Sequence, residues 1–211
     1  MNERGYSPLD RLIIGFDKAL SAGSSANKRP NPSDGLAGTP IQAAEKRRSA
    51  ALMRVNHAGE VAAQALYAGH AVAAKDPRVR ESMLQAAAEE SDHLHWCEAR
   101  VRELGSHISF LTPVWYFGSF AIGAVAGLSG DKWNLGFVME TERQVVEHLD
   151  KHLALLPEQD RKSRTILQQM RADELQHASV ARAAGAVELP RPLRIMMRSC
   201  AKVMTSSAYW L

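Results

Sequence analysis

Glutamate and histidine recur in this chain at a spacing suited to a metal. Residues 89–93 read EESDH and residues 173–177 read DELQH, so Glu90 stands three before His93 and Glu174 three before His177. One Glu-x-x-His is weak evidence, because such a pair on a helix is most often a solvated contact. Here each is preceded by a further glutamate, Glu60 by 30 residues and Glu142 by 32. On a helix, Glu90 falls in the otherwise apolar row Val79, Met83, Ala86, Leu94, Cys97, Val101 and Leu104. Glu142 shares a row with Val138, Val145, Leu149, Leu153 and Leu156, and Glu174 with Leu167, Met170, His177, Ala178 and Ala181. Glu60 lies in a more mixed row of Met53, Asn56, Ala63, Gln64 and Tyr67. An unpaired buried carboxylate costs several kcal/mol, so four of them need cations. Two divalent ions would balance four carboxylates, with two neutral imidazoles completing the set. Carboxylate and imidazole donors suit iron or manganese better than a thiolate-seeking metal.

The same rows exclude neighbours. Glu89 falls with Ser82, Gln85, Asp92, Trp96, Arg100 and Glu103 in a row read as solvated, and Glu140 with Gln144, Glu147 and Lys151 on a wet side. His57 forms a His-x-x-Glu with Glu60, but Met139 occupies the matching place in the second half. That asymmetry argues for a role outside the ligand set. His148, six residues past Glu142, is off the ligand row and is a candidate for orienting a ligand or handling a proton. His70, His95, His107 and His152 are expected at the surface.

The elements that must position these residues are helical. Ala, Leu, Glu, Gln, Arg and Met are abundant, and no alternating apolar run suggests a strand. Ser7-Pro8 opens an expected amphipathic helix over 7–20, and 21–40 is a Ser/Gly/Pro/Asn-rich linker. Helices are expected over about 43–74, 77–104, 113–128, 131–156 and 157–184, with Asp131 as a cap and Gly105 and Gly185 as stops. A basic amphipathic helix closes the chain. The expectation is an all-α, ferritin-like four-helix bundle with additional apolar and amphipathic helices, two Glu…Glu-x-x-His halves facing each other. Residues 1–42 form the expected N-terminal helix and linker, and 43–211 the di-iron domain.

Other features bound the function. A net charge of +3 with no basic run interleaved with aromatics argues against a nucleic-acid partner. Two cysteines, Cys97 and Cys200, make no disulfide framework and point to a reducing compartment. The N-terminus MNERGYSPLD starts polar and carries no signal-peptide apolar stretch. No GxGxxG motif signals a dinucleotide site. The stretch 108–130 carries no charge. Pro113 and its glycines make it only moderately hydrophobic, so a helix that docks on a membrane is expected there in preference to a span. Arg191, Arg194, Arg198 and Lys202 recur at helical spacing and could meet anionic headgroups.

Four stretches carry a family resemblance: LMRVNHAGEVAAQALYAGH (52–70), EESDHLHWCEARVRELGS (89–106), GFVMETERQVVEHL (136–149) and DELQHA (173–178). Together they resemble the di-iron demethoxyubiquinone hydroxylases of ubiquinone biosynthesis, over about residues 43–211. RV-x-HAGE is the specific part. The resemblance implies that Glu60, Glu90, His93, Glu142, Glu174 and His177 bind two irons, with Glu90 and Glu174 bridging. It implies hydroxylation of a polyprenylated benzoquinol ring by O2, with two electrons from outside, NADH or the quinol itself being candidate donors. It further implies peripheral attachment to the cytoplasmic face of a bacterial inner membrane and protein partners from the same pathway. Two positions depart from the pattern: Asn56, where many relatives carry Asp, and Leu149, where some carry Tyr. Leu149 weakens any claim of a tyrosine relay beside the metals. Among other di-iron classes, a rubrerythrin would need CxxC pairs, which are missing, and a ferritin cage would not expose Trp115, Tyr116, Phe117 and Phe120. A rival of a different class is a non-catalytic quinone- or lipid-binding partner, which leaves the four inward glutamates unexplained.

Overall fold

The computed structural model describes residues 29–38 and 40–211. Six helices follow in order: α1 (Ala43–Ala73), α2 (Pro77–Glu103), α3 (Thr112–Gly127), α4 (Asp131–Leu155), α5 (Arg161–Ala183) and α6 (Arg191–Trp210). No strand occurs among the described residues. The helix expected over 7–20 lies outside them.

Helices α1 and α2 form one hairpin and α4 and α5 another, and the hairpins face each other, α1 against α4 and α2 against α5. The crossover between them is α3, which lies along α1, while α6 returns to pack on α1 and α4. This is a four-helix bundle with one long connection and two outer helices.

The turns explain the connections. Asp76 caps α2 by accepting from the Arg78 N–H at 2.8 Å, ahead of Pro77 at the first helical position. Gly105 ends α2 at φ +74° and lets the Ser106 N–H reach the Val101 carbonyl at 3.0 Å, a closure that favours glycine. Two expected boundaries shift. The cap of α4 is Gly130, and the Asp131 carboxylate instead accepts from the N–H groups of Lys75 and Asp76 at 3.2 and 3.1 Å, tying the α1–α2 turn to α4. Helix α5 starts at Arg161, not near Pro157, because Asp160 is its cap. The Asp160 carboxylate accepts from the Ser163 N–H at 3.1 Å and from Arg100 Nη2 at 2.6 Å.

Two apolar clusters fill the bundle. One gathers Leu52, Met53, Trp96, Cys97, Leu149, Ile166, Leu167 and Met170. The other gathers Tyr67, Met83, Ala87, Leu135, Val138, Met139 and Ala181. On each helix of the two hairpins the candidate ligands fall between a residue of the first cluster and one of the second: Glu60 between Met53 and Tyr67, Glu142 between Leu149 and Val138. A polar layer thus crosses an otherwise apolar interior.

Several rows expected at the surface are covered. Trp96, Arg100 and Asp92 are buried, because Arg29, Asp160 and α5 meet that side of α2: the Trp96 indole donates to the Arg29 carbonyl at 3.4 Å, and Arg100 is held by Asp160 and Ser163. Glu140 is buried too; it bonds Gln144 and Arg143, and Gln144 in turn donates to the Arg194 carbonyl of α6. His70 and His152 are buried rather than exposed, His70 against Phe137 and His152 against Asn56. His95 and His107 are exposed as expected.

The charge-free stretch yields a 16-residue helix, and no helix among the described residues is long and apolar enough to cross a membrane. Its glycines serve contact. A Cβ on Gly123 would sit 2.2 Å from the Leu66 carbonyl oxygen, and one on Gly69 of α1 would sit 2.2 Å from that of Phe120. The two backbones meet where neither helix has a side chain.

Candidate metal centre

The polar layer contains all six residues selected by facing and spacing. Ligand-type atoms of Glu60, Glu90, His93 and Glu174 lie within 4.8 Å of one another, as do those of Glu90, Glu142, Glu174 and His177. Glu90 and Glu174 belong to both groups. The four glutamates and His93 are buried, and the His177 side chain is 13 % exposed.

Both imidazoles point the same way. His93 Nδ1 faces inward, 3.2 Å from Glu90, 3.1 Å from Glu174 and 3.6 Å from Glu60. His177 Nδ1 lies 3.0 Å from Glu174 and 3.6 Å from Glu90. Each Nε2 points outward to another acid, His93 to Asp173 at 2.8 Å and His177 to Glu89 at 2.7 Å. An outer carboxylate that takes the Nε2 proton fixes the tautomer and leaves the inner lone pair for a cation.

The electrostatics describe a site built for positive charge. Burial, then the charges of Glu174 and Glu60, push Glu90 well above the usual carboxylate range. Burial and Glu174 do the same to Glu142. Burial would also raise Glu174, but hydrogen bonds from His177 and His93 outweigh it and bring it to about 2. Burial would lower the histidines, yet their carboxylate partners raise His93 well above its ordinary value and His177 to about 9. Buried oxygens of Glu90 and Glu142 have no hydrogen-bond partner among the described residues. Four acids in one layer, two imidazoles with oriented Nδ1 atoms and unpartnered carboxylate oxygens fit a pair of divalent cations.

The other candidates fall elsewhere. His57 is buried without a partner for Nδ1 and joins neither group; burial lowers it to about 4. His148 also joins neither. Its ring centroid is 3.9 Å from that of His152, and burial lowers the two to about 4 and about 3, so both are neutral near pH 7. Glu89 is partly solvated as read, its side chain 39 % exposed, but it is also the outer acid of His177. The outer acids Glu89 and Asp173 carried a signal in the sequence: each directly precedes the inward glutamate of its own helix and serves the histidine of the other. Arg29 carried none.

Beside the layer lies a cavity of about 700 Å³ between α1, α3, α4 and α6. Glu60 is part of its wall, with Leu66, Trp115, Ile122, His148 and Met197.

Known proteins share this sequence over its whole length. The model of the family described as "Ubiquinone biosynthesis protein COQ7" matches residues 47–208. A 3-demethoxyubiquinol 3-hydroxylase from Nitrosococcus oceani is 52% identical, with all of both chains covered. Proteins of the same name from Ectopseudomonas mendocina and Chromobacterium violaceum are 54% and 53% identical, covering 99% and 95% of this chain and 98% of each relative.

Proposed function

The chain belongs to the family of the ubiquinone biosynthesis protein COQ7, and from that premise we propose that it is a 3-demethoxyubiquinol 3-hydroxylase using O2 and two irons. The observation that carries the reading is the double membership of Glu60, which lies both in the Glu/His layer and in the wall of the apolar cavity. A quinol ring seated in the cavity would abut the layer directly. In this reading Glu60, Glu90, His93, Glu142, Glu174 and His177 would hold the two irons. When bound, the irons would supply the reducing power that O2 activation requires.

The protein's own groups bind and orient. The apolar wall takes the ring and the first prenyl units and excludes water. Two nitrogens beside the cavity, Asn56 Nδ2 and His148 Nε2, are buried without partners among the described residues, and they supply contacts for the ring oxygens. His152 donates from Nδ1 to Asn56 Oδ1 at 3.0 Å and so fixes the amide. Neutral His148 is able to accept a hydrogen bond from a quinol hydroxyl at Nε2. The electrons come from an external donor.

The prenyl tail brings the enzyme to the cytoplasmic face of the inner membrane as a peripheral protein. Val114, Phe117 and Val125 of α3 and Ile195, Met196 and Val203 of α6 are exposed and apolar, and Arg191 and Lys202 are exposed beside them, which supports that placement. Quinone profiling of cells lacking this protein tests the function. Accumulation of the demethoxy precursor is expected, and a normal quinone pool would refute the reading. Purified, iron-supplied protein without metal would leave only a non-catalytic quinone-binding role.

A further inference from the structure

The outer acids of the two histidines are equivalent by position but unequal in how they are held. Asp173, which takes the outward nitrogen of His93, also accepts from Arg29 Nη2 at 2.9 Å and from Gln169 at 2.9 Å. Arg29 is anchored in turn. Its Nε and backbone N–H donate to Asp92 at 3.0 and 3.3 Å, and its guanidinium lies over the Trp96 ring, 4.9 Å from the centroid. Among the described residues, Glu89, the counterpart that serves His177, has only Gln85 from its own helix as a second partner, at 2.9 Å. Solvent reaches the two differently: the Asp173 side chain is 14 % exposed and that of Glu89 39 %. His93 is sealed and lies tilted against Trp96, ring centroids 5.2 Å apart, whereas His177 is partly wet.

We propose that Arg29, brought by the segment that precedes the bundle, is a positioning residue that makes the two cation sites unequal. It clamps Asp173, which holds His93, so the ion on the Glu60–His93 side is retained while the ion on the Glu142–His177 side exchanges first. This rests on the metal reading given above. For an ion to leave, a ligand must swing away and water must take its place. On the His93 side that motion breaks a charge-assisted network spanning α2, α5 and the N-terminal segment. On the His177 side it breaks one bond to a half-wet glutamate. Removing the guanidinium also leaves Asp92 and Asp173 uncompensated, which adds attraction for a cation. At a partly exposed position that field is screened, and loss of ligand orientation dominates, since outer partners of metal-bound histidines are worth about 10–100-fold in affinity.

The test uses the full chain loaded with two Co(II) ions, with release to a chelator followed by absorbance. Two phases are expected for the unaltered protein, one ion leaving fast and one slowly. Arg29→Met should speed the slow phase at least ~10-fold and alter the visible spectrum of the one-ion form. Arg29→Lys should restore part of the retention, and Asp173→Asn should mimic the loss even if Arg29→Met folds poorly. Glu89→Gln should speed only the fast phase. Two ions leaving in a single phase, or a slow phase untouched by Arg29→Met, would overturn this inference alone. No bound ion at all would overturn the metal centre, and the inference with it.

Discussion

Glu90 and Glu174 each take part in both groups of ligand atoms, whereas Glu60 and Glu142 each take part in one. Replacing a shared residue should therefore cost more than replacing an unshared one. Glu90→Ala or Glu174→Ala should abolish most of the iron bound per chain, and Glu60→Ala or Glu142→Ala should remove about half, as measured by elemental analysis. Near-equal losses across the four would refute the shared geometry. A second prediction concerns His70, which is wholly buried and lowered by burial to about 4. An unfolded imidazole titrates near 6.5, so below that pH the unfolded chain takes up a proton that the folded chain refuses. Stability is then lost as pH falls from about 6.5 to about 4. Between pH 7 and pH 5 this one residue should cost about 2 kcal/mol, and His70→Phe should flatten the metal-free denaturation profile by that amount. The inward ligands were legible because an acid in an apolar row is conspicuous in one helix alone. His70 and Glu140 were not, since their cover comes from α3, α4 and α6, which pattern within a single helix does not report.

Helix α3 carries a contact that its composition does not reveal. Its glycines lower its hydropathy, yet Gly123 marks the line along which it meets α1. Gly123→Ala would place a methyl 2.2 Å from the Leu66 carbonyl oxygen, which neither backbone can easily yield. The expected cost is about 2 kcal/mol or more, despite the roughly 1 kcal/mol that replacing a helical glycine usually returns. Urea denaturation would show it, and an unchanged or higher midpoint would argue against this packing. Helix ends at Gly105 and Gly185 were readable because glycine terminates a helix by its own conformational freedom. The start of α5 was not, because the cap Asp160 is fixed by Arg100, a residue 60 positions earlier in the chain.

At the scale of the molecule, α3 and α6 wall the cavity and present exposed apolar side chains outside it. With Arg191 and Lys202 exposed on α6, charge reversal offers a clean test of the membrane proposal. Arg191→Glu combined with Lys202→Glu should weaken binding to vesicles rich in anionic lipid by roughly 2 kcal/mol, about 1 per charge removed, and more once repulsion is added. Iron content should stay at the unaltered level. Equal flotation of both proteins would sink the electrostatic part. The two-hairpin bundle itself was legible from the repeated Glu…Glu-x-x-His. The seat of Arg29 on Trp96 was not, since that contact joins a polar segment to a row that reads as solvated.

The polar layer also decides which of many bundles this sequence can form. Four helices lined with Leu, Met, Ala and Val could slide past one another with little change in apolar contact. A slip of one turn, about 5.4 Å, would carry a carboxylate in among Leu149 and Met170 on one side or Tyr67 and Met83 on the other. Only the native alignment brings all four acids together with both imidazoles. The same residues that would hold the cations therefore act as the key to the helices' register, so a search for variants with a rearranged interior should find the layer the last part to yield.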